Sequence, residues 1–236
     1  MGRAMSNKLV IRRLESRLKD ARGLIGFHSD LTGDERGRRY EVDALNRGAV
    51  VLAVAAWDAF VEDLARDNSL TLARRLRSPA SLPSEVRKSL LVWLHESVDF
   101  KQPTDKVQDA IWSLTGAGWR VQYVRCAKDK AQSFGVPNAK QVRKLFKSTV
   151  GIEDITEAWA YRRWVADVYR HKLDRLLELR NRIAHGSIDD ETVGKTRASD
   201  AVTLVSGLGR RSVEAMGIHL KTLNLLKIGK AKDLPE

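Results

Sequence analysis

Apolar residues recur along this chain at intervals of three and four, the spacing that lines one face of an α-helix. Val10, Leu14, Leu18, Ala21 and Ile25 form such a stripe and predict an N-terminal helix within residues 1–31. The charge cluster TGDERGRRY (32–40), interrupted by Gly33 and Gly37, reads as a loop. From Ala44 to Leu76 the pattern predicts one long helix or two abutting ones. Residues 49–57 within it are apolar almost all round, which predicts a central buried helix rather than a surface one. Pro79 and Pro83 bracket a break, after which Ser84 is placed to cap a helix running through Trp93.

Further breaks fall at SVDFKQPTD (97–105) and TGAGW (115–119). Asn138, with Gln141 three residues on, opens another helix in a variant of the capping box. A helix is expected from about Thr156 to His185, with Val168 a candidate break, and a last one from about residue 197 to 226. No stretch alternates as a strand would, and no repeat or low-complexity segment occurs. The expected fold class is all-α, a helical bundle in which residues 78–150 form an irregular helical insertion. One domain is expected: an N-terminal helix at 1–31, a core over 45–225 and a tail at 227–236.

Charge changes this picture more than composition does. With 236 residues, 43% hydrophobic and 31% charged, the chain has the make-up of an ordinary globular protein. Its formal charge of +12 is less ordinary, and such a field attracts RNA, DNA or an acidic membrane surface. Cys126 is the single cysteine, which excludes a disulfide framework within the chain and a cysteine-based zinc site, and fits a cytoplasmic setting. No apolar run reaches the length of a membrane span or a signal peptide. Gly2 and Ser6 satisfy the loose myristoylation pattern, but that pattern is short and Met5 is an equally good start. No membrane partner and no cofactor or metal are expected.

The segment LLELRNRIAHG (176–186) carries the most pointed chemistry. On a helix of about 100° per residue, Leu173, Leu177, Arg180 and Ala184 fall in one wedge, with Leu176 and Ile183 beside it. Arg180 therefore stands at the centre of an apolar stripe. Asn181 and His185 flank it, and Gly186 is placed to end the helix. A guanidinium keeps its charge, so a buried one must be paired. Asp58 and Glu62, one turn apart beside the stripe of Val50, Val54, Trp57, Val61 and Leu64, are the candidate partners. Two readings stay open. One is an internal ion pair with a helix-terminal histidine. The other is a polar seam between two copies of the chain, where imidazole, amide and guanidinium could handle a phosphodiester.

Lys140, Arg143, Lys144 and Lys147 share one face of the helix that starts at Asn138, a candidate RNA-binding surface or a solvated face. Arg120, Arg125, Lys128 and Lys130 add charge nearby in sequence. Trp57, Trp159 and Trp164 lie among apolar residues and are expected in the core. SGLGRRS (206–212) follows a helical pattern rather than a strand and so is no dinucleotide loop; HESVD (95–99) lacks a second histidine for zinc. His28, His171 and His219 show no ligand spacing.

At residues 180–186 the chain also resembles a known family. RNRIAHG matches the Arg-Asn-x-x-x-His signature of HEPN domains, all-α proteins that include many metal-independent endoribonucleases. The RiboL-PSP-HEPN branch in particular is similar: VVLAVAAWDAFVEDLA (50–65) resembles its central-helix segment, and PNAKQVRKLFKSTVGI (137–152) its Pro-to-Gly-Ile segment. The three segments stand in the family's order, and the likeness covers roughly residues 45–225.

The resemblance implies a HEPN-type bundle with additional inserted helices, pairing as a homodimer with a composite cleft that cuts single-stranded RNA. It assigns proton transfer to His185, stabilisation of phosphate charge to Arg180, orientation to Asn181, and support of the arginine to Glu62 or Asp58. It further implies a toxin or phage-defence setting, RNA (tRNA among the candidates) as partner, and a possible inhibitory partner protein. The runner-up is a non-catalytic RNA- or protein-binding module of a larger system. In HEPN toxins silenced by a nucleotidyltransferase partner a tyrosine stands two residues beyond the histidine. Here Ser187 takes that place, which speaks against such control.

Overall fold

A computed structural model describes residues 7–32, 42–97, 105–186 and 192–223. The loop expected at 32–40, the core of the break at 97–105, Ser187, and the 227–236 tail lie outside the described residues, wholly or nearly so. The described residues form helices α1 (Asn7–Thr32), α2 (Asp43–Arg75), α3 (Ser84–Ser97), α4 (Asp105–Trp112), α5 (Gly118–Gln132), α6 (Ala139–Val150), α7 (Ala166–Ala184) and α8 (Lys195–Thr222). Two short 3-10 turns, Pro79–Ser81 and Ile155–Trp159, connect them. The fold is all-α, a helical bundle, as the periodicity predicts.

Helix α2 is the axis. Its 33 residues run unbroken for about 50 Å. One face, from Val50 through Ala53, Val54, Trp57, Phe60, Val61 and Leu64, is sealed in the core. Helices α1 and α8 pack along it and against each other, while α5, α6 and α7 also pack on it. Buried residues from each of helices α1 through α8 except α4 merge into one apolar cluster. Residues 49–57 lie on a central buried helix as expected, but one side of their apolar ring is uncovered. Val51 and Leu52 remain 36% and 37% exposed, and Ala55 is exposed with them. Apolar side chains predict only that a face prefers cover; none of the described elements lies over that strip.

Glycine explains the closest crossing. A Cβ on Gly209 of α8 would lie 2.3 Å from Leu14 Cδ2 of α1, so the missing side chain lets the two helices meet. That is the structural use of a glycine in SGLGRRS, which lies inside α8. Helix α6 opens as expected, Asn138 Oδ1 accepting from Gln141 N at 2.9 Å. It ends at Gly151, whose φ of 79° is left-handed and whose Cβ would strike Pro83.

The helix expected from Thr156 begins ten residues late. Asp154 accepts from Thr156 N at 2.8 Å and starts a 3-10 turn instead. Trp159 then buries its indole and donates to Ser212 Oγ of α8 at 2.9 Å. A tight turn follows, Tyr161 and Trp164 exchanging backbone hydrogen bonds of 3.0 and 3.1 Å around Arg162 at φ 55°. Only after Val165 does α7 begin. Trp57 and Trp159 are core residues as expected, but Trp164 is 46% exposed, its ring facing Arg163 and Lys172 rather than the core.

Candidate functional site

Helix α7 dives into the core and re-emerges at its C-terminal end. Leu173, Leu176, Leu177 and Leu179 are buried. Arg180, Asn181 and Ile183 are half-buried, and Ala184, His185 and Gly186 are exposed. The apolar wedge read from the sequence therefore surfaces at the arginine. The helix ends on His185, whose backbone N–H donates to Asn181 O at 3.0 Å. Gly186 takes the left-handed conformation, φ 67°, and its N–H points back to Ile183 O at 3.4 Å. The turn leaves the imidazole in solvent, one helical turn from Asn181.

Facing this end is the partly exposed side of α2. Asp58 is half-buried there, and its Oδ1 is buried without a hydrogen-bond partner. Burial raises its pKa above the usual carboxylate range, and the charge of Arg180 partly opposes that rise. Glu62, one turn along, is also raised, first by burial and then by the negative charges of Asp58 and Asp63, against Arg66 and Arg17. Arg180 thus acts on Asp58, while Glu62 answers to other cations. Yet the attraction stays at a distance: among the described residues, the Arg180 side chain makes no hydrogen bond and no ion pair within 4.0 Å. Asp63 is the acid that does find cations, accepting from Arg17 at 2.9 Å and Arg66 at 2.6 Å and tying α1 to α2.

This differs from the internal-salt-bridge reading in a plain physical way. A half-buried guanidinium with its five donors unused is held near a desolvated carboxylate whose Oδ1 has no hydrogen-bond partner. On α2 the exposed Val51, Leu52 and Ala55 lie on the same helical face as Asp58, Ala59 and Glu62, within about 60° of its centre.

Of the four cations on α6, Lys140, Arg143 and Lys144 are exposed and Lys147 is half-buried. Lys147 pairs with Glu153 at 2.5 Å and Arg143 approaches Asp154 at 3.5 Å, so acids of the following turn engage two of the four. Lys140 and Lys144 have no acid partner among the described residues. The start of α6 is pinned to α2, Trp57 Nε1 donating to Pro137 O at 2.9 Å. The chain entering α6 thus lies against the buried Trp57 of α2.

Among the described residues no group of three or more histidine, cysteine or acidic side chains is placed to hold a metal ion. No described helix is long and apolar enough to cross a membrane.

A family model described as RiboL-PSP-HEPN matches residues 12–216. No curated protein and no solved structure matches the chain.

Proposed function

The chain belongs to the RiboL-PSP-HEPN family, and from that premise we propose that it is a metal-independent endoribonuclease of the toxin or phage-defence kind. One observation carries the reading: Arg180, free of any acid at contact distance, stands five residues before a solvent-exposed histidine at a helix end. The substrate is single-stranded RNA, with tRNA loops among the candidates.

The 2′-oxygen attacks the adjacent phosphorus as its proton passes to one imidazole. The bond from phosphorus to the 5′-oxygen breaks, and a second imidazole protonates that leaving oxygen. The products are a 2′,3′-cyclic phosphate and a 5′-hydroxyl. DNA, lacking the 2′-hydroxyl, is not cut. One helix end offers one His185, so the two proton transfers call for two copies of the chain, related by a two-fold axis. Arg180 binds the non-bridging oxygens with its unused donors as charge builds there. Asn181 orients the phosphate or the imidazole. Asp58 is a positioning residue whose negative charge biases the guanidinium. Glu62, one turn further, answers to the charges of Asp58 and Asp63 rather than to Arg180. The uncovered strip of Val51, Leu52 and Ala55 supports pairing through this face of α2, because two such strips would bury each other beside both sites.

The test is cleavage of RNA in the presence of EDTA, wild type against His185→Ala. The substitution is expected to lower the rate by about a hundred- to ten-thousand-fold. Equal rates would remove the assigned catalyst.

A second reading, an RNA- or protein-binding module without catalysis, is favoured by Lys140 and Lys144. They present charge that no acid of the described residues neutralises. It predicts salt-sensitive RNA binding with the RNA recovered intact, and loss of affinity on reversing both charges.

A further inference from the structure

Between α7, α8 and the Tyr161–Trp164 turn lies a cleft of about 890 Å³, within the range of small-ligand sites. Its floor is apolar, from Leu176, Leu179, Ala201 and Leu204. Its walls carry five cations, Lys172, Arg175, Arg197, Arg210 and Arg211, against the carboxylates of Asp200 and Glu214. Arg210 is engaged by Glu15 at 2.8 Å.

Arg211 is not engaged in that way. Its guanidinium lies 4.7 Å from the ring centre of Tyr169 and 5.0 Å from that of Tyr161. Its Nε is buried without a hydrogen-bond partner, and no carboxylate of the described residues reaches it. Gly207, one turn earlier on α8, leaves room for the fork: a Cβ there would lie 3.1 Å from Arg211 Nη2. Two tyrosines and a glycine therefore hold a planar cation in place while no carboxylate of the described residues answers its charge.

We propose that this cleft binds a nucleotide unit, a phosphorylated nucleoside either free or within an RNA strand, with its phosphate on Arg211. Each part of the lining matches a part of that ligand. Lys172 and Arg175 stand with Arg211 for the phosphate. Asp200 and Glu214 accept from ribose hydroxyls and base amino groups. The base lies on the apolar floor. Inorganic phosphate would leave the floor bare, and a fatty acid would set its chain against two carboxylates. The cleft is separate from the Arg180–His185 end, yet Leu179 of its floor immediately precedes Arg180 on α7, so an occupant touches the residue next to the proposed catalytic arginine.

The inference does not depend on cleavage, and its test is run on the full chain carrying His185→Ala. Titration calorimetry compares 5′-AMP, adenosine, pyrophosphate and a short single-stranded RNA. Binding of 5′-AMP, with adenosine and pyrophosphate each at least about tenfold weaker, marks a free-nucleotide site. Binding of the RNA but not of 5′-AMP marks a strand subsite. In either case Arg211→Met, and Gly207→Leu, which fills the space beside the fork, should weaken binding by about tenfold or more, with the helical circular dichroism unchanged. Affinities that neither variant moves, or pyrophosphate held as tightly as 5′-AMP, would overturn the proposal, as would failure of both 5′-AMP and RNA to bind. None of these outcomes depends on whether the wild type cuts RNA.

Discussion

Arg180 and Asp58 define the chemistry at the scale of single residues, and each makes a prediction that a merely structural role would not. Because Arg180 pairs with nothing at contact distance among the described residues, Arg180→Ala should leave the fold standing, with a melting shift of no more than a few degrees. RNA cleavage should fall about a hundred- to a thousand-fold, as loss of a transition-state donor does. Unfolding of the variant would instead mark a buried ion pair. Asp58 has its pKa raised by burial. A carboxyl whose folded pKa lies above its unfolded value opposes folding when ionised, and that penalty disappears as pH falls below the unfolded value. Asp58→Asn should therefore match or exceed the wild type in thermal stability at neutral pH. The difference should shrink in acid, while cleavage is lowered by the loss of the charge beside Arg180. Melts at pH 7 and pH 4 alongside cleavage rates check both halves. The sequence offered Asp58 and Glu62 as equal candidates for Arg180. They lie one turn apart on one face, and only the placement of α7 against α2 puts the nearer charge on Asp58.

Helices were legible where their signals are local. The Asn138 cap, the apolar stripe of α1 and the Gly186 terminus each depend on neighbours within a turn, so spacing alone marks them. The start of α7 was not, because the chain from Thr156 is helical in pattern but is captured by groups beyond it, Trp159 by Ser212 and Thr156 by Arg170. Contacts between helices of distant sequence also govern Glu15. It lies on α1 and accepts from Ser206 Oγ at 2.6 Å and Arg210 Nη2 at 2.8 Å of α8, as well as from Arg22 at 2.8 Å. Burial alone would raise its pKa, but the hydrogen bonds of Ser206, Arg22 and Arg210 outweigh it and bring the value down from 4.5 to about 2. A depressed carboxylate stabilises the fold above its unfolded pKa, and that contribution is lost as pH falls through the folded one. Glu15→Gln should thus destabilise at pH 7, with the deficit fading between about pH 4.5 and 2. Urea midpoints across that interval measure it; a deficit independent of pH would show that the carboxylate's charge plays no part.

For the whole molecule, the uncovered strip on α2 and the net charge of +12 set what the chain meets. If two copies pair through Val51 and Leu52, replacing both by aspartate should convert a dimer to a monomer in sedimentation. It should also abolish cleavage, since neither His185 would then have its counterpart, and the helical content should persist. Monomers that cut RNA as well as the wild type would exclude the composite cleft.

The sequence by itself determined most of the helices, the caps at Asn138 and Gly186, the family, and a charge that draws polyanions. These follow from hydrogen bonds and side-chain periods confined to a few residues, or from sums that ignore arrangement. Only the tertiary structure decided that one side of the central helix stays uncovered and that α7 surfaces at its arginine. It also decided that Arg143 and Lys147 meet acids while Lys140 and Lys144 do not, and that Arg211 is wedged between two tyrosines. Each of these depends on how one helix is rotated and placed against another. That rotation is set by the packing of the entire core, which no local pattern of residues encodes.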